Sequence, residues 1–210
     1  TLGILLDYSS YNNLTNNAIL SDSQPNRNNI GIRLYSSSRN IMSGNSISNC
    51  LSWGVIFDNS CNYNTLSVNA ISNNLGGGIH MTHWSWGGRC RLNTIRDNMI
   101  LDNNWDGIYL YSGDTNYIIN NTLSNNKGYG VRLDYYAIYS NIYNNNFINN
   151  SKQASAVSSG VFNLAKPTGG NYWSDWTTPD NNDDGFVDSP YGFTGGQDNL
   201  PWAAPNGWLD

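Results

Sequence analysis

The 210-residue sequence contains no glutamate, few lysines and no long apolar run. All 15 acidic residues are Asp, only 12% of residues are charged, and the net charge is −5. A nucleic-acid-binding protein needs a basic face, so this charge balance argues against that class. The lack of an apolar run of about 20 residues predicts no membrane-spanning helix in this chain. Strong helix formers are scarce, which argues against a helical fold.

Asparagine is abundant instead, with 37 residues, and it marks a unit that recurs six times. The copies read NNLTNNAI, NIMSGNSI, NTLSVNAI, NTIRDNMI, NYIINNTL and NIYNNNFI, beginning at Asn12, Asn40, Asn64, Asn93, Asn116 and Asn141. A glycine-led unit accompanies it as GILLD, GIRLY, GVIFD, GIHMT, GIYLY and GVRLD, beginning at Gly3, Gly31, Gly54, Gly78, Gly107 and Gly130. A repeat of this length is typical of a solenoid.

The alternation inside each unit predicts strands. In the glycine unit the second and fourth residues are apolar, as in Ile32 and Leu34, and period two places them on one face of a strand. Stacking short strands in register buries columns of apolar side chains. We therefore expect an all-β, parallel β-helix of about seven coils over residues 1–168, with an irregular C-terminal cap over residues 169–210.

The asparagines are predicted to form two columns at the turns between strands. Asn tolerates left-handed backbone, and stacked amides can bond along a ladder. The first column is Asn12, Asn40, Asn64, Asn93, Asn116 and Asn141, and the second is Asn17, Asn45, Asn69, Asn98, Asn121 and Asn146. Each unit also contributes one residue to each of two apolar stacks. The predicted last members of these stacks are Tyr143 and Ile148.

Two of the three cysteines occupy equivalent positions. Cys61 and Cys90 each lie three residues before the first Asn of their unit. Adjacent coils bring such positions within the Cα separation that a disulfide needs, so we predict a Cys61–Cys90 bridge. Such a bridge would fit an oxidising compartment. The alternative is a pair of reduced thiols.

The segment from Gly169 to Trp202 differs from the repeats. It is rich in aromatic residues and reads as the cap that a solenoid end requires. Its D-x-N-x-D-G-x-x-D run matches the first nine positions of a calcium loop, with candidate ligands Asp180, Asn182, Asp184, Phe186 (by its carbonyl) and Asp188. Position twelve is Tyr191 rather than Glu, so the loop is no EF-hand. Calcium completed by other oxygens and an Asp/Asn-rich turn held by its own side chains are the two readings.

The repeated N-x-I-x-x-N-x-I coils, followed by GGNYWSDW, DNNDDGFVDSPY and DNLPW, resemble the NosD-like, carbohydrate-binding and sugar hydrolase (CASH) family of right-handed β-helices. The resemblance covers nearly the whole chain, and this ending is typical of archaeal, especially methanogen, surface proteins. The resemblance implies a right-handed parallel β-helix and an extracellular or cell-surface protein. It does not fix an activity, because relatives include copper-site maturation proteins, polysaccharide epimerases and lyases, and surface repeat proteins.

The outward positions of the glycine-led strands form the candidate site. A lyase or epimerase needs a cation and a base, which gives His80, Tyr109, Arg132 and Asp58 as candidate catalytic residues. Aromatic and acidic side chains around them could bind sugar without chemistry; these are Trp84, Trp86, Tyr35, Tyr111 and Asp134. A copper role has weaker support, because Met42, Met81 and Met99 are scattered and His80 and His83 lack a third ligand.

We therefore expect an extracellular module that binds or organises carbohydrate or forms part of an envelope structure, without catalysis. The alternative is a polysaccharide lyase, C5-epimerase or glycoside hydrolase that uses the same face. The expected partners are a polysaccharide or surface glycan, and copies of this chain or neighbouring envelope proteins. Calcium is the one cofactor that the sequence suggests, and no organic cofactor is expected.

Overall fold

The computed structural model describes residues 1–21, 29–83, 88–157 and 159–209. These residues form a right-handed parallel β-helix of about seven coils, which confirms the predicted fold class. Each complete coil contributes one short strand to each of three seven-stranded parallel sheets, here called A, B and C. Within the described residues no helix is long and apolar enough to cross a bilayer.

Sheet A consists of the glycine-led strands β1 (Leu2–Asp7), β4 (Ile30–Tyr35), β7 (Val55–Asp58), β10 (Ile79–Thr82), β13 (Ile108–Leu110), β16 (Tyr129–Leu133) and β19 (Lys152–Ala156). Sheet B consists of β2 (Asn13–Thr15), β5 (Ile41–Ser43), β8 (Thr65–Ser67), β11 (Thr94–Arg96), β14 (Tyr117–Ile119), β17 (Ser140–Tyr143) and β20 (Gly160–Val161). Sheet C consists of β3 (Ala18–Leu20), β6 (Ser46–Ser48), β9 (Ala70–Ser72), β12 (Met99–Leu101), β15 (Thr122–Ser124), β18 (Asn146–Ile148) and β21 (Tyr172–Trp173).

The core is a set of apolar columns that run along the solenoid axis. In sheet A the residues one and three places after each glycine point inward and pair in register, so that Phe57 lies beside Leu34 and Met81. All three side chains are fully buried. The remaining residues of each strand point outward, because side chains alternate across a strand. This alternation decides which residues of sheet A are available to a ligand.

Buried asparagines form three ladders, one more than the sequence predicted. In the second predicted ladder, the Asn69 side-chain amide and backbone N–H both donate to Asn98 Oδ1, at 2.9 Å each. The additional ladder comprises Asn74, Asn103, Asn126 and Asn150. Each amide thereby satisfies turn groups that burial would otherwise leave without a partner.

The predicted columns are wrong by one residue in the sixth coil. Ser140 takes the place expected for Asn141, and Asn145 takes the place expected for Asn146. In this coil the stacked apolar residues are correspondingly Ile142 and Phe147, in place of the predicted Tyr143 and Ile148. Three consecutive asparagines, 144–146, make both registers acceptable locally. The buried Phe147 ring, stacked on Trp173 at 4.4 Å, accompanies the observed register.

The left-handed backbone of these turns also falls one residue earlier than predicted. Asn16, Val68 and Asp97 have φ between 55° and 58°, and each directly precedes a ladder asparagine. The ladder residues themselves are absent from the positive-φ set of the described chain. Their role is therefore amide hydrogen bonding rather than backbone tolerance.

The C-terminal segment covers the last coil with aromatic rings. Trp173, in β21, lies between Phe147 at 4.4 Å and Tyr191 at 4.3 Å. A two-stranded hairpin, β22 (Tyr191–Phe193) and β23 (Gly196–Asp198), follows, and a 3₁₀ turn spans Gly207–Leu209. The buried Asp198 carboxylate accepts hydrogen bonds from the Asn171 backbone and the Trp173 indole, at 2.7 and 2.9 Å. The second asparagine ladder thus ends on a carboxylate.

Candidate functional site

The outward face of sheet A brings most of the predicted site residues together. One row places Arg33, Ile56, His80, Tyr109 and Arg132 on consecutive strands in register. The neighbouring row contains Tyr35, Asp58 and Thr82 on the corresponding strands β4, β7 and β10. Because parallel strands lie about 4.8 Å apart, adjacent members of a row are in side-chain contact.

Four side chains in this region form a continuous stack along the solenoid axis. The His80 ring is 4.8 Å from Trp53 and 4.9 Å from Tyr109, and the Arg132 guanidinium lies over Tyr109 at 4.7 Å. A Cβ on Gly77 would lie 2.0 Å from the Trp53 ring, so glycine there admits the indole. Both faces of His80 are therefore covered, and burial lowers its pKa to about 4. The imidazole is neutral at neutral pH.

Tyr109 ends the stack in a charged hydrogen-bond network. Its hydroxyl donates to Asp134 Oδ2 at 2.6 Å, and Arg132 Nη2 donates to the same oxygen at 3.2 Å. Burial, and then the neighbouring Asp134, raise the pKa of Tyr109 well above its ordinary value. Asp106 is buried beside this group, and burial raises the pKa of its carboxyl. The network therefore presents hydrogen-bond donors and acceptors side by side. Its cation, Arg132, is already paired with Asp134.

On the other side of Trp53 and His80 lies a cavity of about 240 Å³. Its polar lining includes the ion pair between Arg33 Nη2 and Asp58 Oδ2, in which the Asp58 side chain is only 1% exposed. Arg33 Nε, Asp58 Oδ1 and His80 Nε2 are buried and have no hydrogen-bond partner within the part of the chain that the structure describes. Asp58 therefore belongs to this cavity, separated by the aromatic stack from Asp134.

A second aromatic cluster lies along the edge of the face, after β10 and β13. His83 stacks on Tyr111 at 6.0 Å and meets Tyr136 edge-on at 5.6 Å. Arg89 lies over Tyr136 at 5.2 Å and 3.6 Å from Asp114. Tyr111 remains 39% exposed and Tyr136 44% exposed. The predicted sugar-binding residues Trp84 and Trp86 lie outside the described residues, and Tyr35 lies away from this cluster, under Arg33 at 5.6 Å.

Sequence reasoning missed several members of the site. Trp53 and Asp106 each directly precede the leading glycine of their coil, where a corner interrupts strict alternation. Extending the alternation of the strand back to these positions would place them in the interior, whereas the Trp53 ring lies on the outward face against His80. The run Gly76–Gly78, one coil after Trp53, is the signal that could have indicated space for a large ring. Tyr136 lies beyond its strand and had no periodic signal.

The predicted disulfide is not formed. Cys61 and Cys90 are buried and carry thiols, although the prediction that they adjoin on neighbouring coils is confirmed. A hydrogen bond between the two thiols lowers the pKa of Cys61 and raises that of Cys90. Each sulfur also lies near backbone oxygens, Cys61 Sγ at 3.3 Å from Asp58 O and Cys90 Sγ at 3.7 Å from Thr82 O. The buried thiols are thus held by these contacts in place of a covalent bond.

In the Asp-rich loop the side-chain oxygens accept backbone hydrogen bonds. Asp180 accepts from the N–H groups of Asp184 and Gly185, at 3.2 and 2.8 Å. Asp188 accepts from Asn181 instead, and Asp184 pairs with Lys166. The described residues contain no group of three His, Cys, Asp or Glu able to hold a metal ion. These contacts match the turn reading, and calcium binding by Asp180, Asn182, Asp184, Phe186 and Asp188 stays a prediction.

Comparisons with known proteins support this architecture. A family model described as "Periplasmic copper-binding protein (NosD)" matches residues 1–86 and 69–178. Among solved structures, a point mutant of the periplasmic alginate epimerase AlgG matches with a TM-score of 0.62 and 21% identity, over 76% of this chain and 35% of that one. Another AlgG structure gives 0.58 and 19%, with the same coverage. This chain therefore spans about a third of those proteins, and at this identity the likeness shows the fold alone. No curated protein matches the sequence.

Copper, which the family description implies, does not fit the described donor atoms. Met42 and Met81 are fully buried in separate apolar columns, and Met99 is exposed on sheet C. His80 is enclosed between two rings, and no group of three His, Cys, Asp or Glu converges in the described part of the chain. Copper needs several convergent sulfur or nitrogen ligands, so we assign it no step.

Proposed function

Since the chain belongs to the NosD family and forms a β-helix of the kind found in periplasmic proteins, we propose that it is an extracytoplasmic module that binds carbohydrate without turning it over. The binding surface is the outward face of sheet A on coils four to six. The observation that carries the proposal is one juxtaposition: the exposed Tyr111 and Tyr136 rings lie beside the Tyr109–Arg132–Asp134 network.

This combination matches what a sugar presents. A pyranose ring has an apolar face of C–H groups and a rim of hydroxyls that both donate and accept. Exposed aromatic rings suit the first because they offer apolar area at low entropic cost. The paired Arg132 and Asp134 suit the rim of hydroxyls, because the guanidinium donates hydrogen bonds and the carboxylate accepts them.

The same contacts argue against catalysis by these residues. A general base must reach the substrate and accept its proton near the working pH. Tyr109 already donates to Asp134, and its raised pKa disfavours the phenolate. His80 has rings against both faces and a pKa of about 4, which makes it a weak base. The hydrogen bonds of the face are thus used to position side chains.

The test is binding to immobilised polysaccharides, both neutral and acidic, with the wild-type protein and three variants. Tyr111→Ala and Tyr136→Ala should each weaken binding about tenfold, equivalent to about 1.4 kcal/mol. Tyr63→Ala is the matched control, because Tyr63 is 53% exposed at a turn away from this face. Equal loss in all three variants, or no binding to any polysaccharide, would contradict the proposal.

A parallel assay separates binding from turnover. The same polysaccharides are incubated with the protein, and unsaturated-uronate absorbance and new reducing ends are read together. We expect neither signal. A signal that disappears in Arg132→Ala while folding is kept would instead establish the enzyme alternative, a lyase or hydrolase using the same face.

A further inference from the structure

The cavity beside His80 exists because one short side chain lies between two long ones. In the outward row of sheet A, Ile56 is in register with Arg33 on one side and His80 on the other. Arg33 and His80 are therefore two strand spacings apart, roughly 10 Å at the backbone. The shorter Ile56 side chain forms the floor of the gap, and Trp53, stacked on His80, contributes a wall.

Three residues that line this cavity each have one polar atom that is buried and has no hydrogen-bond partner among the described residues. Arg33 Nε can donate one hydrogen bond, and Asp58 Oδ1 can accept. His80 Nε2 can do either, according to the tautomer of the neutral ring. Buried polar groups normally have partners, so three such atoms on residues that line one cavity point to a polar ligand. The Asp58 side chain, 1% exposed, is held rigidly by its ion pair with Arg33.

The charges around the cavity select an uncharged ligand. The Arg33 cation is neutralised by Asp58, and His80 is neutral. Asp7 lies on the outer side of Arg33, so the surroundings carry no surplus positive charge. A carboxylate-bearing ligand would have to lose water without gaining a free cation, which is costly.

The size of the cavity limits the ligand further. A volume of about 240 Å³ is below that of sites for drug-sized ligands, about 300–1,000 Å³. It suits one six-membered sugar ring rather than a chain. Ile30, Ile56 and Trp53 supply apolar contacts for the C–H groups of such a ring.

We propose that this cavity is a subsite for a single neutral sugar residue, recognised through its hydroxyls by Arg33, Asp58 and His80. The inference rests on the proposed carbohydrate-binding function, and it names the class of sugar that the subsite takes. A glycan whose chain lies on the Tyr111 and Tyr136 surface would place a neutral terminal or branch residue here.

The probes are methyl glycosides of glucose, galactose, mannose and N-acetylglucosamine, with methyl glucuronoside as the acidic comparison. Saturation-transfer NMR detects the weak binding expected of single sugars. At least one neutral glycoside should bind in preference to the glucuronoside. Ile56→Trp fills the cavity without removing a polar atom, and it should weaken that binding at least about tenfold. Ile41→Trp is the matched control, because Ile41 is 46% exposed on sheet B.

A second variant tests the charge argument. Asp58→Asn keeps the shape but removes the carboxylate that pairs with Arg33 at the cavity, so the preference should shift towards the glucuronoside. The inference is wrong if no neutral glycoside binds, if the wild-type protein prefers the glucuronoside, or if Ile56→Trp binds as well as Ile41→Trp. Polysaccharide binding that depends on Tyr111 and is unaffected by Ile56→Trp would overturn this subsite and leave the proposed function standing.

Discussion

The asparagine ladders inside the turns and the outward face of sheet A differ in the hydrogen bonding of their buried polar atoms. Asn98 accepts two hydrogen bonds from Asn69 and donates to Leu66 O and Asn121 Oδ1. On the outward face, Arg33 and Asp58 each have one buried polar atom with no partner among the described residues. Both regions repeat with the coil, yet only in the ladders do the repeated side chains satisfy one another's hydrogen bonds.

This difference separates stability from recognition. A ladder gains a complete set of bonds from each added coil, and identical residues stack because each coil has the same backbone path. The outward rows change residue from coil to coil, so neighbouring side chains leave gaps and unused bonding atoms. Unsatisfied buried groups lower stability by about 1–3 kcal/mol each, a cost that a bound ligand would offset.

Removing one interior ladder amide should give the largest loss of stability. Asn98→Ala deletes four hydrogen bonds and leaves the Asn69 backbone N–H buried without its acceptor. We expect the free energy of unfolding to fall by about 3–5 kcal/mol. Urea denaturation followed by circular dichroism measures it.

Asn17→Ala is the control, since Asn17 begins the same ladder and its side chain makes one bond, to Asn45. Its expected loss is about 1 kcal/mol. Equal losses in Asn17→Ala and Asn98→Ala would contradict the account of the ladder.

The two regions should also respond oppositely to pH. Burial raises the pKa of Asp198, at the ladder end, from 3.8 to about 6, so its contribution is present below pH 3.8 and lost as pH rises through 6. Burial lowers the pKa of His80 from 6.5 to about 4, so its contribution is present above pH 6.5 and lost as pH falls through 4. Each amounts to about 3 kcal/mol, and in the wild-type protein they largely cancel.

Single variants should separate the two contributions. Asp198→Asn should make stability rise more steeply with pH between 4 and 6.5 than in the wild type, because the contribution of His80 is then no longer opposed by that of Asp198. His80→Gln should make stability fall more steeply with rising pH between 3.8 and 6 than in the wild type, because the contribution of Asp198 is then no longer opposed by that of His80. Thermal unfolding across this range checks both. If stability in both variants depends on pH as it does in the wild type, the pKa values of Asp198 and His80 are not shifted as described.

The smallest effect is expected on the outward face itself. Tyr109→Phe removes the hydroxyl that donates to Asp134, but Arg132 still donates to that carboxylate. The free energy of unfolding should fall by about 1 kcal/mol. Urea denaturation beside Asn98→Ala provides the comparison. A loss in Tyr109→Phe as large as that in Asn98→Ala would remove the distinction between the two regions.

Much of the architecture could be predicted because the same pattern of apolar residues, glycine and asparagine occurs in six copies of the repeat. The inward residues of sheet A and the outward row with His80, Tyr109 and Arg132 follow from alternation alone. The errors occur where local sequence is ambiguous. The asparagine run 144–146 permits two registers, and Cys61 and Cys90 adjoin as predicted but remain thiols. The outward position of Trp53 could not be predicted, because the corner before Gly54 interrupts the alternation of the strand.

By itself, the sequence determined the parallel β-helix, the coil count and the outward row of sheet A, because hydrophobic period and repeat length are local properties that stacking preserves. Only the tertiary structure decided how the site divides. The stack from Trp53 to Arg132 separates Asp58 from Asp134, and the gap over Ile56 depends on side chains from three different coils. Contacts between residues more than 20 positions apart depend on the shapes of neighbouring side chains, which no period in the sequence records.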